Sequence, residues 1–233
     1  MNPPPEHDTP EPAVSGWVWL RERALASRVG LSLAVMALML LLLWWWRPLL
    51  LLPGTQALVM QGGDPYVRAL MRTISASESN VLRPYHVLHG HSFVWTLDEH
   101  PNRCEPIGRG PNRGNCSTAA GRYQLLYSTW VALALRHHPK RIPGQTDDGR
   151  LSFEPVYQDL VVHAWLSDTD AWRADLPALL RQGKTQTVLR RLSGTWTSLG
   201  YGIESNSMSR ELPKIYQRML KDELERLPSG DGR

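Results

Sequence analysis

Residues Val29 to Trp46 read VGLSLAVMALMLLLLWWW and carry no charge. After Arg47 and Pro48 the apolar run continues as LLLLP. Crossing a bilayer core takes roughly 17–25 apolar residues of helix, and Trp44, Trp45 and Trp46 suit the aromatic belt of a membrane interface. A helix of this composition has no polar face to turn to water, which disfavours a buried soluble helix. A cleaved signal peptide is disfavoured as well, because its apolar region is about 7–15 residues long and ends at small residues. This run is longer and ends in tryptophans and leucines. It predicts one uncleaved transmembrane anchor over residues 29–52.

Arg21, Arg23 and Arg28 precede the span, while only Arg47 follows it closely. Lysine and arginine near a span stay cytoplasmic. The first 28 residues are therefore expected to be a cytoplasmic tail, and MNPPPEHDTPEP, proline-rich and polar, to be disordered. The chain after Pro53 is expected to be exported, in the periplasm of a cell with an inner membrane. Mean hydropathy is negative, so this is one anchor on a soluble domain rather than a polytopic protein. Roughly 180 residues remain beyond the anchor, enough for one domain with a core of its own. Residues 53–63 read as a linker, 64–227 as the domain and 228–233 as a flexible end. The net charge of +4 favours anionic partners weakly. No dense lysine and arginine stripe interleaved with aromatics is present, which argues against nucleic acid.

Helical signals dominate the domain, with a small β element near its front, giving a mainly α (α+β) class. Asp64 followed by Pro65 reads as an N-cap with proline in the first turn. Val67, Leu70, Met71 and Ile74 follow at helical spacing. Residues 81–119 lack sustained helical periodicity and suit a short hairpin with a long loop. Helical patterns return over Tyr123–Leu135, Pro155–Leu166, Leu176–Leu192 and Glu211–Leu227. Cys104 and Cys116 are the two cysteines of the chain. In an oxidising compartment a disulfide between them is favoured, over free thiols or zinc held with nearby histidines.

Val67, Met71, Ile74 and Glu78 step by four, three and four residues. This places Glu78 on the inner face of the first domain helix, near its C-terminal end. Burial favours a protonated carboxyl, and so does the negative end of a helix dipole. A neutral carboxylic acid is what protonates a glycosidic oxygen.

Several stretches resemble the phage lambda endolysin family of lytic transglycosylases, in that family's order. SESN, with Glu78, resembles its catalytic-glutamate turn. YHVLHGHSFVWTLDEHP (residues 85–101) is similar to its tyrosine-to-HP segment, and AAGRYQLLYSTW (119–130) to its most diagnostic motif. FEPVYQDLVVHAWL (153–166) resembles the helix with a Gln-Asp pair, here Gln158 and Asp159. SGTWTSLGYG (193–202) resembles its late Trp-Ser-Leu and Tyr-Gly region. The resemblance covers roughly residues 64–225 and implies a lysozyme-like, two-lobed fold with a cleft for a glycan strand. It implies cleavage of the β-1,4 bond between N-acetylmuramic acid and N-acetylglucosamine, the C6 hydroxyl of the former attacking C1 to give a 1,6-anhydro product. Glu78 is then the single general acid/base. Ser77, Tyr85, Tyr123, Gln124 and Tyr201 are carried over as substrate-binding residues, and Arg122 as structural. No cofactor is implied.

Departures and rivals sharpen the expectation. The spacing from Glu78 to Tyr85 is shorter than in the family, His86 stands where aspartate is expected, and the loop from Pro101 to Ala119 is longer. A tether to the inner membrane suits wall remodelling, or opening a passage for a trans-envelope complex, better than bulk lysis. A hydrolase on the same fold needs a second carboxylate, for which Asp98 and Glu99 are candidates. A metal enzyme would use His86, His89, His91 and His100, yet no HExxH occurs and no metal site is assigned. A non-catalytic wall-binding module would be indifferent to Glu78.

Overall fold

The computed structural model describes residues 30–42, 53–108, 110, 112–141, 151–201 and 208–227. The chain divides into two units, Met1–Leu51 and Leu52–Arg233. In the first, residues 30–42 form helix α1, exposed along its whole length. Among the described residues no helix is long and apolar enough to cross a membrane. Val29 and residues 43–52 of the expected anchor lie outside the described residues, as do the expected tail, 1–28, and the C-terminal 228–233.

The second unit is built around helix α2, Pro65–Glu78. The Asp64 carboxylate accepts hydrogen bonds from the backbone N–H of Tyr66 and Val67, and Pro65 stands where no N–H is needed. Every residue of α2 from Ala69 to Ala76 is buried. Leu70, Met71 and Ile74 lose all their exposure, each worth about 1.5–3 kcal/mol. Helix α8, Leu212–Glu225, lies along α2. Its apolar face brings Leu212, Ile215, Tyr216 and Met219 inward. The charged seam beside it pairs Glu223 with Arg68 and Arg72, and Arg72 with Asp222. Helices α3 (Tyr127–His137), α4 (Pro155–Ser167), α5 (Thr169–Trp172), α6 (Leu176–Arg181) and α7 (Thr185–Leu192) complete the helical part.

Among the described residues the β element is one antiparallel ribbon. Strand β1 (Glu105–Pro106) pairs with β2 (Cys116–Ser117), with Pro106 opposite Cys116. Isolated bridges join Val87 to Phe93, Leu88 to Ala120 and Ala120 to Leu125. The result is mainly α with a small two-stranded sheet.

Three sequence expectations are corrected here. Residues 53–63 are not a linker. Leu58 and Met60 are buried in the core, and the carbonyls of Gly54, Gln56 and Ala57 accept from the Arg122 guanidinium. Residues 53–63 therefore pack as part of the second unit. The helix expected from Tyr123 starts only at Tyr127. Gly121 and Gln124 adopt positive φ of 72° and 46°, which no right-handed helix admits. The span Leu176–Leu192 is two helices, parted at Gly183 (φ 74°).

Candidate active site

Helix α2 ends where its sequence turns from apolar residues to SESN. Ser79 leaves the helical region at φ −142°, ψ 54°, while its N–H still reaches the Ser75 carbonyl. Glu78 is thus the last helical residue, half-buried rather than on the inner face. It opens into a cleft of about 870 Å³. One wall is the end of α2 with Thr195, Trp196, Thr197 and Ser198. The other is the turn His89–His91, the ribbon residues Pro106 and Ser117, and Ala119. Among the described residues lining this cleft, Glu78 is the only carboxylate.

The Glu78 carboxylate accepts, at Oε1, a hydrogen bond from the Ser198 hydroxyl. Ser77 Oγ lies 2.8 Å from Ser198 Oγ and 3.0 Å from its carbonyl and donates to this residue. Ser198 belongs to a 3₁₀ turn, Thr197–Leu199, closed by Gly200 in the left-handed region. A Cβ at Gly200 would overlap the Ser209 side chain. The turn is pinned from below by Trp196, whose Nε1–H donates to the Tyr123 carbonyl at 2.8 Å.

Behind the acid stands a buried polar network. Arg122 is fully buried and donates to Ser75 Oγ, to the Tyr85 hydroxyl at 2.7 Å and to the three carbonyls at residues 54, 56 and 57. Asp159 accepts from Tyr123 at 2.5 Å and from Tyr85 at 2.8 Å, and from the backbone N–H of Val59 and Met60. Gln158 donates to the carbonyls of Tyr85 and Phe153 and accepts from the Arg122 N–H. Burial, with Asp159 adding to it, pushes both phenols well above the usual tyrosine range, so both act as neutral donors. Burial works against charge on Arg122, and Tyr123, Tyr85 and Asp159 outweigh it.

The structure therefore sorts the residues expected to bind substrate. Ser77 and Gln124 line the cleft. Gln124 Nε2 donates to the carbonyls of Val87 and Gly121, which makes Oε1 the atom suited to accept from a ligand. Tyr123 has no exposed surface, and Tyr85 is buried with its hydroxyl taken up by Arg122 and Asp159. Neither lines the cleft, because the same hydroxyls that could serve a ligand are needed to satisfy a buried arginine and aspartate. Tyr201 is exposed beside Arg190, 5.2 Å from its guanidinium, and lies outside the cleft lining. Asp98 and Glu99 open into a separate surface cavity. Cys104 and Cys116 form the disulfide, closing the ribbon that makes the far wall.

Among the described residues no group of three metal-binding side chains comes together. His89 and His91 face the cleft, while His100 is buried with its ring nitrogens bonded to the Leu125 carbonyl and the Asn102 N–H. Ser198 was not foreseen as a partner of Glu78. It stands 120 residues away, and no spacing rule links the two.

No match was found among curated proteins or among solved structures. Residues 68–221, more than half of the 233-residue chain, match the Endolysin family. That span runs from the first turns of α2 through Glu78, the Arg122 network and the Ser198 turn to α8, and the chain belongs to the Endolysin family.

Proposed function

We propose that this chain is a peptidoglycan lytic transglycosylase held at the bacterial inner membrane. Membership of the Endolysin family supports a peptidoglycan-degrading enzyme. The observation that carries the finer reading is that, among the described residues lining the cleft, Glu78 is the single carboxylate, and that Ser198 donates to it. A hydrolase of the usual kind places a second carboxylate across the scissile bond, and neither Asp98 nor Glu99 reaches this cleft.

The chemistry then runs through one residue on a lysozyme-like fold. Glu78, protonated, gives its proton to the oxygen that leaves N-acetylmuramic acid, and the bond from that oxygen to C1 breaks. The C6 hydroxyl of the same sugar attacks C1, and the Glu78 carboxylate takes the hydroxyl proton. Acid and base forms of one group alternate, the 1,6-anhydro ring closes, and no water is consumed. Ser198 holds Oε1 in place through both halves, since its hydroxyl donates to it. A hydrogen bond to an ionised group is worth about 1.5–3 kcal/mol. Gln124 Oε1 is placed to accept from a sugar N-acetyl N–H.

The membrane tether rests on the sequence of residues 29–52 and on α1, whose leucines, valine and methionines are exposed on all sides. Such a helix needs an apolar environment. A periplasmic domain fits the Cys104–Cys116 disulfide and the arginines before the span. A tethered enzyme reaches only wall close to the membrane, which suits local remodelling or passage of a trans-envelope complex.

Digestion of purified sacculi by the full chain in detergent, beside Glu78→Gln, tests this. Muropeptides one water lighter than reducing-end products, absent with the variant, are expected. Reducing ends would replace the reading with a hydrolase. Cleavage that persists in Glu78→Gln would remove Glu78 from the chemistry.

A further inference from the structure

A second cavity, about 700 Å³, lies outside the cleft and is lined by Phe93, Val94, Trp95, Thr96, Asp98, Glu99, Pro101 and Arg103. Two aromatic rings stand at its surface: Phe93 is 41% and Trp95 75% exposed. Phe93 and Trp95 both line the cavity, and Val94 between them also packs against the core. The Arg83 guanidinium stands 5.1 Å from the Trp95 ring centre. Around the rings, Asp98 and Glu99 supply acceptors and Arg103, paired with Glu105 at 3.2 Å, supplies donors. Exposed rings edged by such groups suit a ligand with an apolar face and a rim of hydroxyl and amide groups.

The cavity is carried by the two segments that make the far wall of the cleft. The chain from His86 to Val94 is a hairpin, with the Val94 N–H on the His86 carbonyl and Val87 bridged to Phe93. Its tip, His89–His91, lines the cleft, and its return limb runs straight into Phe93 and Trp95. Arg103 likewise leads into β1, whose Pro106 lines the cleft. From His91 to Phe93 is two residues, about 7 Å at most. A polymer that crosses this wall is then within reach of Phe93 and, two residues further along the chain, of Trp95.

We infer that the Phe93 and Trp95 cavity is a distal saccharide-binding site, which holds the same glycan strand whose scissile bond lies at Glu78. The inference rests on the peptidoglycan reading above and adds to it a hold on the strand outside the cleft. Two linked contacts on one polymer raise its residence without any new contact at the reacting bond. Long strands then gain from the site, and a short glycan that fills only the cleft does not.

The test uses the full chain in detergent, with Trp95→Ala made both in the active enzyme and in Glu78→Gln. Trp95 is largely exposed, so an unchanged thermal midpoint is expected and verifies the fold. The Glu78→Gln protein is expected to sediment with purified sacculi, and adding Trp95→Ala to weaken that binding about tenfold, the loss expected of one aromatic anchor. In the active enzyme Trp95→Ala is expected to raise KM on sacculi while leaving the rate on a short glycan unchanged. Binding retained in full by the Trp95 variant overturns the inference, and so does equal loss on long and short substrates. Failure of the catalytic reading shows separately, as an absence of products from the active enzyme on either substrate.

Discussion

On the inner side of the last turn of α2, Ser75 and Ser79 are buried. Ser75 Oγ donates to the Gly54 carbonyl at 2.6 Å, and Ser79 Oγ to the Arg122 carbonyl at 2.6 Å. On the outer side, Ser77 and Glu78 are half-buried and meet the turn at Ser198. The inner side leaves almost no room: a Cβ on Gly54 would come within 2.8 Å of the Ser75 and Ser79 carbonyl oxygens. The outer side opens on a cleft of about 870 Å³. One turn of helix thus serves two ends. Its back is immobilised by a strap, residues 53–60, and by Arg122, so that its front can present a reactive carboxyl to the cleft. The strap lies outside the family match at residues 68–221, yet it completes the support of Glu78.

The comparison breaks most sharply at the two groups that define it. Glu78→Gln is expected to lower cleavage of sacculi by about 10²–10⁴-fold, the range for a lost general acid, with the thermal midpoint kept. Arg122→Ala works in reverse. It leaves Asp159 without its cationic neighbour and takes the guanidinium from the carbonyls of Gln56 and Ala57, and an unfolding titration should show a loss of about 3–5 kcal/mol. If activity fell and stability did not, the division between back and front would be mistaken.

Removing the disulfide with Cys104→Ser and Cys116→Ser should cost about 3 kcal/mol in the chain-entropy model. Because Pro106 and Ser117 line the cleft, the loosened ribbon should also raise KM more than it lowers kcat. Ser198→Ala should cost about 1.5–3 kcal/mol of transition-state stabilisation, read as a fall in kcat with little change in unfolding. Ser198→Thr, which keeps the hydroxyl, should recover part of it.

The smallest effect is set by pH. Burial holds His100, His138 and His163 below the usual histidine pKa of 6.5. Between the folded and unfolded values the unfolded chain binds more protons, so stability rises with pH. Their contribution is fully present above about pH 6.5 and is lost as pH falls below it. Asp222 behaves otherwise. Burial opposes its charge, but hydrogen bonds from Arg72 and Arg226 outweigh that and depress its pKa, so its contribution persists until acid reaches the carboxylate range. Thermal midpoints at pH 7 and pH 5 should therefore drop on acidification before any carboxylate titrates, and a flat profile would count against the neutral buried histidines.

Much of this was legible in local sequence. The Asp64-Pro65 cap, the apolar stripe of α2 and its run up to Glu78 depend on contacts within a few residues, and periodicity reports those directly. The stripe of α8 and the start of α4 at Pro155 were legible for the same reason. Where the Tyr85 and Tyr123 hydroxyls point was not legible, for a physical reason: motif order says that a tyrosine is near the acid, not which side of the helix its hydroxyl serves. Here both turn inward to a buried aspartate and arginine. The short-range grammar of caps, stripes and glycines determined the helices and put Glu78 at a helix end. Only the tertiary structure decided that residues 53–60 brace the helix, that Ser198 meets Glu78 across 120 residues of chain, and that Asp98 and Glu99 stand elsewhere. Those outcomes depend on which distant groups must satisfy one another's hydrogen bonds once water is excluded, and no window of sequence contains both partners.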